Sequence, residues 1–235
     1  MKNTLTSLIA LCALAAATQA TAALESIRVE TTHMPQMPVS LLQRGVTEGR
    51  VVVAIDINAE GKLADYLVVG YTHEPLVNPI IDALKEWRYQ PARRDGVPVP
   101  AQIELTVTMS AVGLVVSHTG EEMVETFLDR LMGDQLKYRP SHPGEIDRVP
   151  VLTRSVAPRY AEAALKQGVR GKVQVHFYID ENGAARMPAI DHADDPYLAA
   201  IAVAAVREWK FEPPTARGQP VMVEASQEFK FGEGR

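Results

Sequence analysis

The sequence predicts an α+β protein built from two tandem two-layer units, and three observations support that prediction. The pattern Trp-(Arg/Lys)-(Tyr/Phe)-x-Pro occurs at Trp87 and again at Trp209, 122 residues later. The surrounding residues repeat at the same offset without a gap, as a duplicated supersecondary unit would. Each copy also has strand-like alternation on both sides of one helix-like run. The repeated residues are Gly49, Val51, Val53, Ile57, Gly61, Gly96, Pro98 and Val99, which recur as Gly171, Val173, Val175, Ile179, Gly183, Gly218, Pro220 and Val221.

Residues 1–22 are predicted to be a cleavable signal peptide, which would deliver the chain to the periplasm. Lys2 gives the charged start, 5–17 is a short apolar run, and Ala20-Thr21-Ala22 is a small-residue cleavage site. An uncleaved membrane anchor is the alternative, although the apolar run is short for a bilayer. Cleavage would change the formal net charge from −5 to −6, because Lys2 is the only charged residue removed. It would also remove Cys12, the only cysteine, and with it any thiolate chemistry.

The repeat divides the rest of the chain into three parts. The first unit is placed at 23–111, a connector at 112–150 and the second unit at 151–235. Units of about 75 to 90 residues are large enough to form independent cores. The connector is predicted to contain a short amphipathic helix, because apolar residues recur there at helical spacing: Met123, Phe127, Leu128 and Leu131.

The elements of each unit are predicted in the order helix, strand, strand, helix, strand. In the second unit, 160–167 is a short helix and 173–179 alternates like a strand with one buried face. A turn at 180–183 leads to a return strand, in which Pro188 predicts a sheet edge or a bulge.

The second half of each unit supplies the remaining helix and strand. Asp195-Pro196 is an N-cap followed by proline, which starts a helix, and 221–231 alternates as the last strand. The first unit repeats this with strands at 51–57 and 103–109 and a helix beginning near Asn78-Pro79. The helices should cover one face of a small antiparallel sheet.

The second unit resembles the C-terminal domain of TonB-type proteins. That family's pattern opens with Pro-x-Tyr-Pro, followed by an Ala four residues after the Tyr and a Gly eleven after it. Pro158, Tyr160, Ala164 and Gly171 match those spacings, and Ala161 replaces the second proline. The turn glycine, the tryptophan pattern and the last strand follow in both units. The first unit opens similarly at 35–38, with Met in place of Tyr.

The resemblance implies a protein partner in the cell envelope, such as an outer-membrane transporter. Family domains bind a short transporter segment by β-augmentation, in which the segment adds as a strand beside the domain's last strand. The family's name-giving member also has an uncleaved membrane helix and a long proline-rich spacer, neither of which is expected here. The resemblance therefore implies binding more than force transmission.

The candidate binding residues follow from that implication and from the exposed edge of the last strand. An edge strand carries unpaired N–H and C=O groups that must be covered, blunted or used. The alternative is that the other unit, or a second copy in a homodimer, already fills the edge. The candidates are Val221, Val223, Ala225 and Gln227 on the last strand, with Arg154 and Tyr160 in the segment that leads into the unit.

The tryptophan pattern is interpreted as structural. Trp87 and Trp209 are expected to be buried core anchors, because large aromatic side chains contribute mostly buried area. Pro91 and Pro213 are expected to end the preceding helices.

Enzymatic, metal-binding and nucleic-acid functions are not favoured. The negative net charge and the lack of a Lys/Arg cluster argue against nucleic acid. No nucleophile motif or phosphate-binding loop occurs in the sequence. The acidic segment 191–195 leaves a metal-binding or hydrolytic enzyme as an alternative, but the first unit has no equivalent cluster. We therefore expect a periplasmic, non-enzymatic protein-binding module without a cofactor. The main alternative is an energy transducer or accessory of TonB-dependent transport, anchored by residues 1–22.

Overall fold

The computed structural model describes residues 24–30, 33–118 and 136–232. The predicted signal peptide and the predicted connector helix lie outside these ranges. Among the described residues, no helix is long and apolar enough to cross a membrane.

The first unit contains a four-stranded antiparallel sheet in the order β4-β3-β8-β9, and two smaller sheets, β2-β5 and β1-β6-β7. Its elements are β1 (Leu24–Glu25), β2 (Arg28–Glu30), α1 (Val39–Leu42), β3 (Glu48–Ile57), β4 (Leu63–Tyr71), a 3₁₀ helix (Glu74–Leu76), α2 (Val77–Glu86), β5 (Arg88–Gln90), β6 (Ala92–Arg94), β7 (Val97–Val99), β8 (Ala101–Ser110) and β9 (Gly113–His118).

The second unit contains a three-stranded antiparallel sheet in the order β12-β11-β16, and two short ribbons, β10-β13 and β14-β15. Its elements are β10 (Leu152–Arg154), α3 (Glu162–Lys166), β11 (Gly171–Ile179), β12 (Ala185–Ala193), α4 (Pro196–Val206), β13 (Lys210–Phe211), β14 (Thr215–Ala216), β15 (Gln219–Pro220) and β16 (Val223–Phe231).

One helix covers one face of each main sheet, which confirms the predicted α+β class. Apolar residues at every second position of β3 and β11 point to the same face, as strand geometry requires. In the first unit they pack against α2, and in the second against α4. The fully buried partners are Val51, Val53, Ile55, Ile57, Ile80 and Leu84 in the first core, and Val173, Val175, Leu198, Ala202 and Val206 in the second.

The start of α4 follows from the sequence signal. Asp195 is extended, and its side chain accepts hydrogen bonds from the backbone N–H groups of Tyr197 and Leu198. These bonds satisfy donors that the first helical turn leaves without partners, and Pro196 follows where its missing N–H costs nothing.

Pro188 lies on β12, an edge strand of its sheet, as its missing N–H predicts. The pairing of β11 with β12 shifts register between His176 and Tyr178, close to the proline. Met187 next to it has φ 49°.

Two repeated glycines are explained by the short strand that follows each tryptophan. Gly61 and Gly183 have φ 72° and 78°, in turns that pass directly beneath that strand. A Cβ atom would lie 2.3 Å from the carbonyl oxygen of Tyr89 at Gly61, and 2.1 Å from that of Phe211 at Gly183. Both units therefore need glycine here for backbone conformation and for close approach.

The two main sheets stay separate and contact each other through the faces that the helices do not cover. Ion pairs that cross between the units include Arg186 with Asp65 at 3.0 Å and Arg207 with Asp56 at 3.1 Å. Ion pairs that keep one partner exposed, as Asp65 and Arg207 are here, contribute little, so we expect the stabilisation to come mainly from an apolar cluster. Its buried members are Ala54 and Val69 of the first unit and Tyr178, Met187 and Met222 of the second.

The described part of the connector hydrogen-bonds to both units. The Lys137 N–H donates to the carbonyl of Tyr71 at 2.8 Å, and the Tyr71 N–H donates to that of Tyr138 at 3.2 Å. The Tyr71 and Tyr138 rings stack with centroids 5.1 Å apart. Three residues later, the Ser141 N–H donates to the carbonyl of Met222 at 2.8 Å. The segment 137–141 therefore links the end of β4 to the start of β16.

Candidate functional site at the edge of the second sheet

β16 is an edge strand. It pairs with β11 from Gly171 opposite Phe231 to Ile179 opposite Val223, without a register shift. On its other side, the described part of the chain supplies one β-bridge, the parallel one between Ser141 and Val223. Within the described ranges, the edge is therefore covered at its start, and no strand pairs with it beyond Val223.

Hydrogen-bond geometry identifies the residues that face the open side. Successive residues of a strand direct their backbone N–H and C=O groups to opposite sides. The carbonyl of Met222 faces outward, because it accepts from Ser141, and every second residue after it faces the same way. The side-chain amide of Gln227 donates to the carbonyl of Glu228 at 2.6 Å, in agreement with this assignment. The outward-facing residues of β16 are Glu224, Ser226, Glu228 and Lys230.

The predicted strand residues therefore contribute side chains rather than edge hydrogen bonds. Val223, Ala225 and Gln227 lie opposite Ile179, Phe177 and Val175, and their backbone groups face β11. Val223 is buried, Ala225 is half-buried and Gln227 is exposed. Val221 precedes the strand, and its N–H donates to the carbonyl of Pro214 at 2.9 Å.

The two candidates from the leading segment lie elsewhere in the unit. Arg154 is on β10 opposite Lys210, and its guanidinium is 3.5 Å from the carboxylate of Glu208. Tyr160 packs edge-on against Phe231 with ring centroids 5.8 Å apart, and its hydroxyl donates to the carbonyl of Val169. Tyr160 thus supports the far end of β16 from the core side.

The start of β16 is flanked by a groove on the helix side of the sheet, which we call the apolar groove. It has a volume of about 410 Å³. Phe177, Trp209 and Phe211 form its floor, and Val149 of the connector and Leu152 of β10 are part of its wall. These two wall residues are 80% and 41% exposed, so the groove presents apolar surface to solvent.

A second groove lies on the opposite face of the same strand, and we call it the polar groove. Its volume is about 480 Å³. It is lined by Glu224 and Ser226 of β16 and by charged or polar side chains of neighbouring segments, which include Arg139, His142, His176 and Asp191.

Hydrogen bonds within the connector hold the far wall of the polar groove. The guanidinium of Arg139 binds both carboxylate oxygens of Glu145, at 2.7 and 3.0 Å. The backbone N–H of His142 donates to the same carboxylate at 2.8 Å. These bonds lower the pKa of Glu145 to about 2, and the bond from Arg139 makes the largest contribution.

The acidic segment is occupied by structural hydrogen bonds. Asp195 caps α4, Asp191 accepts from the His176 ring at 2.6 Å, and Asp194 accepts from the backbone N–H of Lys172 at 2.7 Å. That N–H and the ring of His192 lower the pKa of Asp194. Among residues 24–30, 33–118 and 136–232, no three His, Cys, Asp or Glu side chains converge as metal ligands.

The two tryptophans occupy equivalent places. Trp87 and Trp209 are 5% and 8% exposed. Their indole N–H groups donate to the carbonyls of His33 at 2.8 Å and Val156 at 2.9 Å. Each indole therefore fixes the segment that leads into its unit.

The prediction that Pro91 and Pro213 end helices was wrong. The helices α2 and α4 end earlier, at Glu86 and Val206. Pro91 instead separates β5 from β6, and Pro213 follows β13. The extended residues between helix and proline pair with β2 in the first unit and with β10 in the second.

The strand of the first unit that is equivalent to β16 has a covered edge. β8 corresponds to β16 by the 122-residue offset. β9 pairs antiparallel with its second half, from Leu105 opposite His118 to Ser110 opposite Gly113. The segment 113–118, placed in the predicted connector, is thus a strand of the first sheet.

Comparison with known proteins identifies the fold of both units. The family described as Gram-negative bacterial TonB protein C-terminal matches residues 38–109 and 156–232. The chain belongs to this family. Both matched segments fall inside the predicted units, whose boundaries stay predictions.

Two TonB proteins are among those similar to this chain. Protein TonB of Vibrio cholerae serotype O1 is 29% identical over 82 residues, which are 34% of this chain and 34% of the relative. The chain thus spans about a third of the length of that relative. The solution NMR structure of the Pseudomonas aeruginosa TonB CTD is 27% identical, covers 38% of this chain and 92% of that chain, and has a TM-score of 0.33.

Proposed function

We propose that this protein is a non-enzymatic, periplasmic protein-binding module that captures an extended segment of an envelope protein. The segment adds as a strand to the open edge of β16. The observation that carries the proposal is the contrast between the two units, since β9 pairs with the equivalent edge of β8, whereas in the part of the chain that the structure describes only Ser141 pairs with the edge of β16. Family membership supports a protein partner, with an outer-membrane transporter as one candidate.

The edge is suited to selective capture rather than indiscriminate aggregation. Long apolar edges recruit other strands without selection, whereas charged side chains discourage this. Glu228 and Lys230 form an ion pair at 3.6 Å beside the open edge. A partner would bind through its backbone and be selected by its side chains.

The decisive test separates backbone from side chain at one outward-facing residue. Ser226→Pro removes an N–H that faces solvent, so the fold should survive, because proline is tolerated at such edge positions. We expect a melting temperature within a few degrees of the parent and at least a tenfold loss of affinity for the captured segment. Ser226→Ala keeps the N–H and should bind like the parent.

The partner for this test comes from photo-crosslinking of the full chain in an envelope extract, followed by peptide mapping of the crosslinked segment. Affinities are then measured with that segment as a synthetic peptide. Equal affinity for the proline and alanine variants would place recognition away from the edge of β16 and overturn the proposal.

Two alternatives have their own measurements. A homodimer that pairs the β16 edges of two copies would give a concentration-dependent mass in analytical ultracentrifugation, lost in Ser226→Pro. An anchored energy transducer, suggested by the likeness to a TonB protein, would keep Met1 in the mature chain. Cleavage would instead give an N-terminus at Ala23, which mass spectrometry distinguishes.

A further inference from the structure

We infer that the segment added to β16 carries a bulky apolar side chain and, next to it in sequence, a lysine or arginine. This inference rests on the proposed strand addition and goes beyond it by naming the chemistry that the edge selects. It follows from the position of the two grooves on opposite faces of the same stretch of β16.

The pairing of the two side chains comes from strand geometry. Successive side chains of an extended segment point to opposite faces of the sheet. The apolar and polar grooves share Glu224, Ala225 and Ser226 as lining residues. A strand along this edge therefore directs one side chain into the apolar groove and its neighbour into the polar groove.

The apolar groove selects a large side chain. Three aromatic rings lie at its floor, and Phe177 stacks on Phe211 with centroids 5.9 Å apart. The exposed wall residues Val149 and Leu152 lose water contact only when something fills the space between wall and strand. A leucine, isoleucine or phenylalanine gains from that burial, whereas a polar side chain does not.

The polar groove selects a positive charge. Arg139 is the only permanently cationic side chain among its described lining residues, and the carboxylate of Glu145 binds both terminal nitrogens of its guanidinium. Glu224 is exposed and has no ion-pair partner among the described residues. Asp191 adds a second carboxylate, bound to His176. An incoming lysine or arginine would find uncompensated negative charge, and an incoming carboxylate would be repelled.

The two grooves contribute unequally. Burial of the apolar side chain provides most of the affinity, because it removes a large apolar area from water. The charge lies on an exposed face, where single ion pairs contribute little. It therefore provides selectivity, which weakens as salt is added.

The experiment titrates the full chain with synthetic octapeptides, followed by the ¹⁵N NMR shifts of the β16 amides up to millimolar peptide. The host is Ser-Thr-Thr-Phe-Lys-Thr-Thr-Ser, and a second host has the order Lys-Phe, so that either strand direction is covered. In each, one variant replaces Phe by Ser and another replaces Lys by Glu.

We expect the Ser variant to bind at least tenfold more weakly than its host. The Glu variant should bind about three- to tenfold more weakly at low salt, with the difference reduced at high salt. Glu224→Lys in the protein should reverse that charge preference. Glu162→Lys is the control, since it makes the same charge change at an exposed residue of α3, away from β16 and from the lining of both grooves, and it should keep the preference for Lys.

The outcomes separate this inference from the proposed function. The hosts could lose binding in Ser226→Pro while the Lys and Glu peptides bind alike and Glu224→Lys leaves their affinities unchanged. This result would overturn the inference and leave strand addition standing. Peptides that do not bind, or whose binding is insensitive to Ser226→Pro, would also overturn it. In that case the crosslinked natural segment still tests strand addition independently. A β16 edge occupied by a second copy, shown by a dimer that Ser226→Pro dissociates, would overturn it as well.

Discussion

The two units share a core but differ at one edge. Their sheets pair in the same register, with Gly49 opposite Met109 in the first unit and Gly171 opposite Phe231 in the second. After β8, the first unit turns tightly into β9, which pairs with the edge of β8. In the second unit, no described strand pairs with the edge of β16 from Ser226 to Lys230. Duplication has thus preserved the parts that fold each unit and changed the edge to which we propose that a partner binds.

The difference shows how a short local element can determine the number of binding edges. β9 follows β8 after only two residues, Ala111 and Val112, so closing the hairpin costs little chain entropy. The chain pairs the edge of β8 with its own β9 in the first unit, whereas no described strand pairs with the equivalent edge of β16 in the second.

The largest expected effect tests the buried tryptophan that the two units share. Trp209→Ala should destabilise the second unit by about 3 to 5 kcal/mol, because removal of a buried large aromatic leaves a cavity. Trp87→Ala should cost a similar amount in the first unit. Chemical denaturation with a fluorescent or NMR probe in each unit measures both. A stability unchanged by either variant would show that its indole is not a core anchor.

The next prediction tests what differs, with the same substitution at equivalent positions. Thr106 and Glu228 are 122 residues apart, and Thr106 lies opposite Ser117 of β9. Thr106→Pro removes a hydrogen-bond donor to β9 and should lower the free energy of unfolding by about 3 kcal/mol. Glu228→Pro removes a donor that faces solvent and should cost under about 1 kcal/mol. Equal losses in urea denaturation would contradict the assignment of Glu228 to the open side.

A smaller effect separates backbone strain from close approach. Gly183 and Gly218 both have positive φ, 78° and 76°, but only Gly183 lies close to another strand, whereas nothing is within 4 Å of a Cβ at Gly218. Gly218→Ala should cost about 1 to 2 kcal/mol from the left-handed conformation alone. Gly183→Ala should cost about 1 to 3 kcal/mol more from crowding. Comparable thermal melts for the two variants would show that the turn relaxes away from Phe211.

The smallest expected effect concerns the connector beside the binding edge. The pKa of Glu145 is lowered to about 2, from about 4.3 in an unfolded chain. Stabilisation by its bonds to Arg139 and His142 is therefore fully present above about pH 4.3 and is lost as the pH falls through about 2. NMR titration of the Glu145 carboxyl measures this, with Glu145→Gln as the control. A titration midpoint near pH 4.3 would show that Glu145 does not keep its bonds to Arg139 and His142 in solution.

The cores could be predicted from the sequence because burial follows periodicity. The alternation in 173–179 and the cap at Asp195 depend on neighbours in the chain, and both occur in the structure. The tryptophan pattern was predicted as a helix ending, but α4 ends at Val206. The two residues after Trp209 pair with β10, and such a non-local contact leaves no periodic signal.

The binding edge could be predicted only in part. The last strand is evident from its alternation. Which of its residues face outward depends on the edge through which it pairs with β11. The sequence-based candidates therefore include Ala225 and Gln227, whereas the backbone groups of Ser226 and Glu228 face the open side in the structure. The grooves are formed by Arg139 to Leu152 folding back onto β16, and this packing between distant segments has no sequence signature that we could identify.

Under the proposed strand addition, the connector segment 137–141 would link partner binding thermodynamically to the contact between the units. One end of it is hydrogen-bonded to Tyr71 and the other to Met222. A short partner can use the edge from Ser226 onward and leave these bonds intact. A longer partner that extends to Val223 must displace Ser141, so part of its binding free energy is spent on loosening the connector. Because such coupling is reciprocal, a change that strengthens the contact of Tyr138 with the first unit should lower the affinity for long partners and leave the affinity for short partners unchanged.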